Sequence, residues 1–217
     1  MFHVKHRRLA EPAPPPSPED FGRRWELTPA TLERLEIHVR LVARWRRSAR
    51  LMGGREIGRI WQRHVADSVQ VRRLIPPGAR TLVDLGSGAG FPGLVLAILG
   101  GIEVHLVESD GRKCTFLREA GRATGAHAIL HDCRIEDLAG LRADVVTARA
   151  LAPLPRLIEL ARPLLAPGGV CIFHKGVGLE RELTEITKNG LQYITLVQYL
   201  NQKLRTLRSA IKDGGQV

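Results

Sequence analysis

Cysteine, methionine and aromatic residues are scarce in this chain of 217 residues, with three cysteines, two methionines and 5% aromatic residues. Cys114, Cys133 and Cys171 are scattered without the spacing of metal ligands. This usage is typical of reduced, buried or half-buried thiols in a cytosolic protein. The eight histidines include one HxxxH pair, His127 and His131, and one CxxH pair, Cys171 and His174, but these two pairs lie 40 residues apart and do not form the compact ligand set of a structural zinc site. The sequence therefore predicts no metal site.

Long hydrophobic runs are also lacking, and no stretch approaches the length needed to cross a bilayer. The first ten residues are basic but no apolar core follows them, so they do not resemble a secretory signal. The hydrophobic content of 44% suits a packed core, and the length suits one large domain with an extension. These features predict a monomeric cytoplasmic protein with no membrane partner.

Acidic residues are scarce between Arg40 and Arg63, where only Glu56 opposes eight arginines. Over the whole chain 33 Lys and Arg face 22 Asp and Glu, a net charge of +11. A local positive field of this kind attracts phosphate chains or anionic membranes. Nucleic acid is the favoured interpretation, and the alternative is a solvated arginine-rich face. The arginines are Arg40, Arg44, Arg46, Arg47, Arg50, Arg55, Arg59 and Arg63.

The sequence before residue 79 divides into a tail and a helical extension. Five prolines between 12 and 18 predict an extended tail over 1–27. Thr28-Pro29 predicts a helix start, and apolar residues then recur at helical spacing until Gly53-Gly54. A second helix is expected over 56–74, ended by Pro76-Pro77-Gly78. Residues 28–78 are thus predicted to form a basic, helical N-terminal extension.

From residue 79 to 217 the pattern alternates strand and helix. This βαβ alternation predicts an α/β fold of the Rossmann-like, doubly wound type with a mostly parallel sheet. The expected strands are 80–85, 103–107, 127–130, 144–148, 170–173 and 193–199, and the expected helices include 93–99, 110–123 and 179–188.

A glycine-rich loop lies between the first strand and the first helix of this domain. It reads Asp84-Leu85-Gly86-Ser87-Gly88-Ala89-Gly90. Such glycines let a ligand approach the main chain, although they also occur in plain tight turns. Glu108 ends the second strand, 22 residues after Gly86. An acid at that spacing accepts hydrogen bonds from ribose hydroxyls, the alternative being an acid favoured by a helix N-terminus.

Asp84 separates two classes of nucleotide ligand. A carboxylate beside the loop disfavours a pyrophosphate and suits a cationic ligand such as S-adenosyl-L-methionine. The pattern of Asp84, Gly86, Gly88 and Gly90 resembles the first motif of the class I methyltransferases. An NAD-dependent oxidoreductase remains the alternative, although the chain lacks a hydride-site His or Tyr-Lys arrangement.

The loop after the fourth strand, beginning at Arg149, bears on the methyl acceptor. It has neither the Asp/Asn-Pro-Pro-aromatic tetrad of exocyclic-amine methyltransferases nor the cysteine of pyrimidine C5 enzymes. An arginine there suits a ring or a phosphate. A ring nitrogen such as purine N7 needs alignment rather than deprotonation.

Several ordered segments together resemble one family, RsmG or GidB, the 16S rRNA guanine-N7 methyltransferases. The resemblance covers about residues 30–190. The segments are Phe2 to His6, His64-Val65-Ala66-Asp67-Ser68, Asp84 to Gly93, Arg134-Ile135-Glu136, Ala148-Arg149-Ala150 and His174-Lys175-Gly176.

This resemblance implies methyl transfer from S-adenosyl-L-methionine to N7 of a guanine in the decoding-region loop of 16S rRNA, with 16S rRNA or the small ribosomal subunit as partner. It implies that Ser87 and Phe91 contact the cofactor together with the loop glycines, and that Glu108 lies near the ribose.

The same resemblance assigns further side chains. Ile135 and Glu136 are expected near the adenine. Arg134, Arg149 and Lys175 are expected to line the acceptor side as the catalytic set, with Arg149 also near the cofactor. His64 and Asp67 share a helix face and are expected at the cofactor mouth, a helix-surface hydrogen bond being the alternative.

The sequence departs from this family in two places. The family context Trp-Asn-Arg-x-x-Asn-Leu corresponds to Trp45 to Leu51, where Arg46 and Arg50 replace both asparagines. The C-terminal part lacks the usual closing strand with its basic residue. These departures leave a non-catalytic RNA-binding or assembly factor on a methyltransferase fold as a further alternative.

Overall fold

The computed structural model describes residues 17–149 and 151–174, with the backbone of 194–196. Its centre is one sheet of six parallel strands in the order β3-β2-β1-β4-β5-β6. This order confirms the predicted Rossmann-like, doubly wound fold. The strands are β1 Thr81–Leu85, β2 Glu103–Glu108, β3 Ala128–Asp132, β4 Ala143–Arg149, β5 Leu165–His174 and β6 Ile194–Leu196.

Helices cover the sheet and build the N-terminal extension. The helices are α1 Pro18–Trp25, α2 Pro29–Trp45, α3 Gly54–Ile57, α4 Ala66–Arg72, α5 Gly93–Leu99, α6 Gly111–Thr124 and α7 Leu154–Ala161. A π-helical turn, Trp61–Val65, precedes α4, and two short 3₁₀ turns cover Ile135–Asp137 and Arg162–Leu164.

The strand order reverses between β1 and β4, where ligands bind in sheets of this kind. Asp84 on β1 lies opposite Leu106 on β2 and Thr147 on β4. One hydrophobic core joins the extension, α5 and α6 to the sheet, and a second lies around α7. The carboxyl ends of β1, β2 and β4 therefore meet at one edge, which we call the carboxyl edge.

Part of the predicted tail is helical. Ser17 caps α1 by accepting a hydrogen bond from the Asp20 backbone N–H (3.1 Å). Phe21 is only 2% exposed, and its ring centroid lies 5.1 Å from that of Trp61. Burial of this aromatic side chain stabilises α1. The nearby prolines predicted an extended tail, but proline is tolerated in the first turn of a helix.

Helix α2 begins as predicted, with the Thr28 side chain capping the Thr31 backbone N–H. Leu35 and Val42 lie in the core. Arg34 fastens the start of α2 to the domain by donating to the carbonyl oxygens of Thr124 (2.5 Å), Ile98 (3.2 Å) and Gly125 (2.9 Å). The extension is therefore packed against the sheet domain.

The single helix predicted over 56–74 is wrong in detail. The segment consists of α3, the π-helical turn and α4. Gly58 ends α3, and the Ala66 N–H bonds to the Trp61 carbonyl in the wider π pattern. Such π turns often occur at functional sites.

The predicted strands and helices of the sheet domain are otherwise confirmed to within a few residues, up to β5. Strand β5 begins five residues early because it includes Pro167-Gly168-Gly169, where the register against β4 shifts. Three residues of the sixth predicted strand form β6, parallel to β5. The predicted helix 179–188 lies outside the described residues.

Gly93 and Gly111 provide a matched test of packing, since each is the first residue of a helix. A Cβ on Gly93 meets Leu106 Cδ2 at 2.5 Å and Asp84 Oδ2 at 2.6 Å, whereas a Cβ on Gly111 meets nothing within 4 Å. We expect Gly93→Ala to lower the free energy of unfolding by about 2–3 kcal/mol through overpacking. Gly111→Ala should leave it unchanged or raise it by up to ~1 kcal/mol. Equal denaturation midpoints for the two variants contradict this account.

Candidate active site

The glycine-rich loop is held against the end of β2 by its own backbone. The N–H groups of Gly86 and Ser87 both donate to the Val107 carbonyl, at 2.9 and 3.0 Å. The Gly90 N–H donates to the Ser87 carbonyl at 2.7 Å, and the Ser87 hydroxyl donates to the Asp84 carbonyl at 2.9 Å. The loop is therefore ordered by internal hydrogen bonds.

The three loop glycines, Gly86, Gly88 and Gly90, all have positive φ angles, but the space around them differs. A Cβ at Gly86 meets Leu151 at 2.7 Å, and one at Gly90 meets Leu94 at 2.8 Å. At Gly88 (φ 52°) only a backbone oxygen of the loop lies within 4 Å. Gly88 is thus the point at which a ligand can approach the loop backbone.

Asp84 lies beneath the loop and is 1% exposed. Its carboxylate accepts hydrogen bonds from the Thr147 hydroxyl (2.8 Å) and from the Gly93 backbone N–H (3.2 Å). Burial raises its pKa to about 6, although these hydrogen bonds oppose the shift. In the structure Asp84 joins β1, β4 and the start of α5 and so positions the loop.

Glu108 joins the loop to the start of α6. One carboxylate oxygen accepts from the Gly88 N–H (3.0 Å), and the other accepts from the N–H groups of Ser109 and Asp110 (both 2.9 Å). A carboxylate has about four lone-pair sites, so one remains for another donor. Glu108 is 7% exposed and lies at the carboxyl edge, where the predicted ribose contact requires it.

Phe91 packs between two histidines of the extension. Its ring centroid lies 4.8 Å from that of His38 and 5.2 Å from that of His64. The buried His38 Nε2–H donates to the Ala89 carbonyl at 2.8 Å, and burial lowers the His38 pKa to about 4. Helix α2 and the π turn thus hold the loop in place through His38 and His64.

Arg149 ends β4 and is the cation of a cluster with His64, Asp67 and His174, which we call the Arg149 cluster. Its Nη2 donates to the Arg63 carbonyl at 3.1 Å and lies 3.9 Å from Asp67 Oδ2. Within the described part of the chain, no group accepts a hydrogen bond from its buried Nη1.

The two histidines of the Arg149 cluster are neutral at physiological pH. Burial and then the positive charge of Arg149 lower the pKa of His64 to about 4. The same two causes lower the pKa of His174 to about 4, against an opposing effect of the Asp67 backbone. Neither imidazole is therefore a strong general base, and Arg149 is the charged donor of the cluster.

The other predicted site residues lie near the end of β3. Arg134 is exposed and precedes the 3₁₀ turn, and Ile135 packs on the second core. Glu136 is half exposed and pairs with Arg156 on α7 at 2.7 Å. The structure thus brings Gly86–Gly90, Glu108, His64, Asp67 and Arg149 to one edge and places Glu136 in a surface ion pair. Lys175 lies outside the described residues.

Sequence reasoning assigned no role to His38, Thr147 and His174. His38 stands on the buried stripe of α2, three residues after Leu35, and its polarity on that stripe was the available signal. Thr147 and His174 lie near the place where the strand order reverses only because β4 pairs with β1 and β5.

A Rossmann-like sheet with an acid-preceded glycine loop and an acid at the end of β2 defines a class I methyltransferase. The model of the GidB family, described as rRNA small subunit methyltransferase G, matches residues 31–208. The chain therefore belongs to the rRNA small subunit methyltransferase G family.

Curated relatives agree with this assignment. The chain is 53% identical over 171 residues to "Ribosomal RNA small subunit methyltransferase G" of Paramagnetospirillum magneticum, covering 79% of this chain and 83% of the relative. It is 50% identical over 173 residues to the protein of the same name from Rhodospirillum centenum, covering 80% of each.

Solved structures show weaker similarity. TYW2 of Pyrococcus horikoshii in complex with MeSAdo is 20% identical, with a TM-score of 0.48 over 58% of this chain and 51% of that chain. A methyltransferase of Methanococcus maripaludis is 12% identical, with a TM-score of 0.46 over 70% of this chain and 76% of that chain. The family assignment rests on the sequence matches.

No helix in the described ranges has the length and apolar character needed to span a membrane. Among the same residues, no group of three or more His, Cys, Asp and Glu side chains is placed to hold a metal ion.

Proposed function

We propose that the protein transfers a methyl group from S-adenosyl-L-methionine to N7 of a guanine in the decoding-region loop of 16S rRNA, in the bacterial cytoplasm. The observation that carries the proposal is the pairing, at one edge, of the Glu108–Gly88 contact with the Arg149 cluster. Membership of a methyltransferase family favours methyl transfer over the hydride-transfer alternative.

The described residues fit the cofactor. The backbone at Gly88 has no side chain packed against it, so a ligand can approach it. The Glu108 carboxylate has one lone-pair site left to accept a hydrogen bond from a ribose hydroxyl. Ile135 is proposed to flank the adenine, with Arg134 and Glu136 beside it, and His64, Asp67 and Phe91 are proposed to lie at the cofactor mouth. When bound, S-adenosylmethionine supplies an electrophilic methyl group. Asp84 acts by holding the loop in place, because its oxygens are bonded to Thr147 and Gly93.

The acceptor side suits a ring nitrogen that carries a lone pair. Such an acceptor needs no deprotonation, which agrees with the low pKa values of His64 and His174. The buried Arg149 Nη1 supplies a donor that can orient a base or phosphate. Arg149, with Arg134 and Lys175, is proposed to hold the acceptor in alignment.

Incubation with labelled S-adenosylmethionine and small subunits lacking the modification tests this function. We expect label in the small-subunit rRNA and none in large-subunit rRNA treated in the same way. Titration with NADH should give no binding at concentrations that saturate the protein with S-adenosylmethionine. RNA binding without any methyl transfer supports the non-catalytic alternative instead.

A further inference from the structure

The turn after α2 carries three arginines that the cofactor site does not use. Arg46, Arg47 and Arg50 line, together with Met52 and Gly54, an open depression of about 630 Å³. Arg47 and Arg50 are exposed, and Arg46 is half-buried. We call this the arginine depression.

The positive charge of the arginine depression is not neutralised within the described residues. None of its three arginines forms an ion pair there, whereas five other arginines do. Glu56, the nearest acid in sequence, accepts the Gly53 N–H at 2.9 Å and does not line the depression. Guanidinium groups gathered without a carboxylate favour binding of phosphate oxygens.

Arg50 has a backbone conformation that its side chain does not favour. Its φ is 50°, in the left-handed region. The Leu51 N–H donates to the Arg46 carbonyl at 3.1 Å, so Arg50 occupies the position after a helix where glycine or asparagine is preferred. A strained residue that also carries an exposed charge points to a role of the side chain in binding.

The direction of α2 places the depression on the same edge as the active site. Arg34, near the start of α2, bonds to carbonyls at the ends of α5 and α6, where the next strands begin. His38, one turn later, bonds to the glycine loop, and Trp45 packs on Phe116 in the first half of α6. Helix α2 therefore ends at the carboxyl edge.

We propose that the arginine depression binds phosphates of the substrate RNA beside the methyl-transfer centre. The proposal rests on the proposed function, because an RNA substrate supplies the phosphodiesters. Arg46, Arg47 and Arg50 each contact one phosphate. Gly54 leaves room for Arg46, since a Cβ at position 54 would lie only 3.2 Å from the Arg46 Nη1.

The test compares two triple variants of equal charge. Arg46→Gln/Arg47→Gln/Arg50→Gln removes the depression's charge, and Arg80→Gln/Arg122→Gln/Arg162→Gln removes three exposed arginines where strands begin, at the opposite edge. Affinity for deproteinised small-subunit rRNA is measured over a salt series. We expect the first variant to bind RNA on the order of 50-fold more weakly. The slope of log affinity against log salt concentration should become shallower by about 2, since each of three phosphate contacts contributes roughly 0.7. The RNA affinity of the control variant should stay within about threefold of the wild-type value over the same salt series.

Arg50→Gly separates binding from folding. It relieves the left-handed conformation, so we expect its melting temperature to rise by roughly 2–4 °C while RNA affinity falls. A higher melting temperature with unchanged RNA affinity overturns the role of Arg50. Equal salt slopes for the two triple variants overturn the whole proposal. Wild-type methyl transfer is measured in parallel, and its absence contradicts the proposed function whichever RNA result is obtained.

Discussion

Glu108→Gln should weaken binding of S-adenosylmethionine by on the order of 100-fold, while the protein remains folded. The carboxylate uses both oxygens, accepting from Gly88 on one side and from Ser109 and Asp110 on the other. A glutamine amide turns an N–H₂ group toward one of these donors and leaves a buried N–H without an acceptor. Loss of such charged hydrogen bonds costs about 1.5–3 kcal/mol each. Isothermal titration with the cofactor measures the loss.

Glu159→Gln is the matched control for this change. Glu159 is an exposed carboxylate that pairs with Arg156 on α7 at 3.1 Å, away from the loop. Its removal should leave cofactor affinity within about twofold, since exposed ion pairs contribute little. Equal cofactor affinities for Glu108→Gln and Glu159→Gln are incompatible with the ribose role of Glu108.

Arg149→Ala should lower methyl transfer by on the order of 100-fold with cofactor affinity nearly unchanged. The guanidinium is held by the Arg63 carbonyl and by Asp67, and its Nη1 has no acceptor among the described residues, so we assign this donor to the methyl acceptor. Misplacement of an acceptor by about 1 Å costs roughly that factor. Single-turnover transfer to small subunits gives the rate, and titration gives the cofactor affinity.

Two further variants make the Arg149 result specific. Arg142→Ala removes an arginine beside the opposite end of β4, which donates to the Leu165 carbonyl, and should keep wild-type transfer. Arg149→Lys keeps the charge but not the fork of donors, so it should recover only part of the rate. If Arg149→Ala loses cofactor affinity in the same proportion as rate, Arg149 serves the cofactor rather than the acceptor.

Local signals were sufficient to predict much of the fold. Helix α5, Gly93–Leu99, matched the expected helix because its apolar run follows the loop directly. Thr28 and Pro29 identified the start of α2 through capping chemistry that needs no distant contact. The acid at the end of β2, Glu108, was predictable because strand, loop and helix lengths fix its place at the carboxyl edge.

The features that escaped prediction depend on long-range contacts. Helix α1 forms because Phe21 reaches Trp61, 40 positions later in the sequence. The π turn presents the Arg63 carbonyl to Arg149, 86 residues away. Asp84 was identified from the glycine pattern, but its hydrogen bond to Thr147 on the neighbouring strand lies outside that pattern. The partners of these contacts lie 40 or more residues apart, so no local stretch of sequence contains both.

Mass mapping of 16S rRNA tests the central claim most directly. Small subunits that lack the modification are treated with the protein and S-adenosylmethionine, and the rRNA is digested and compared with an untreated sample. We expect one added methyl group on a guanine of the decoding-region loop, at N7 and hence sensitive to cleavage chemistry specific for that product. An unchanged mass at every guanine of that loop, with folded, cofactor-binding protein present, would contradict it.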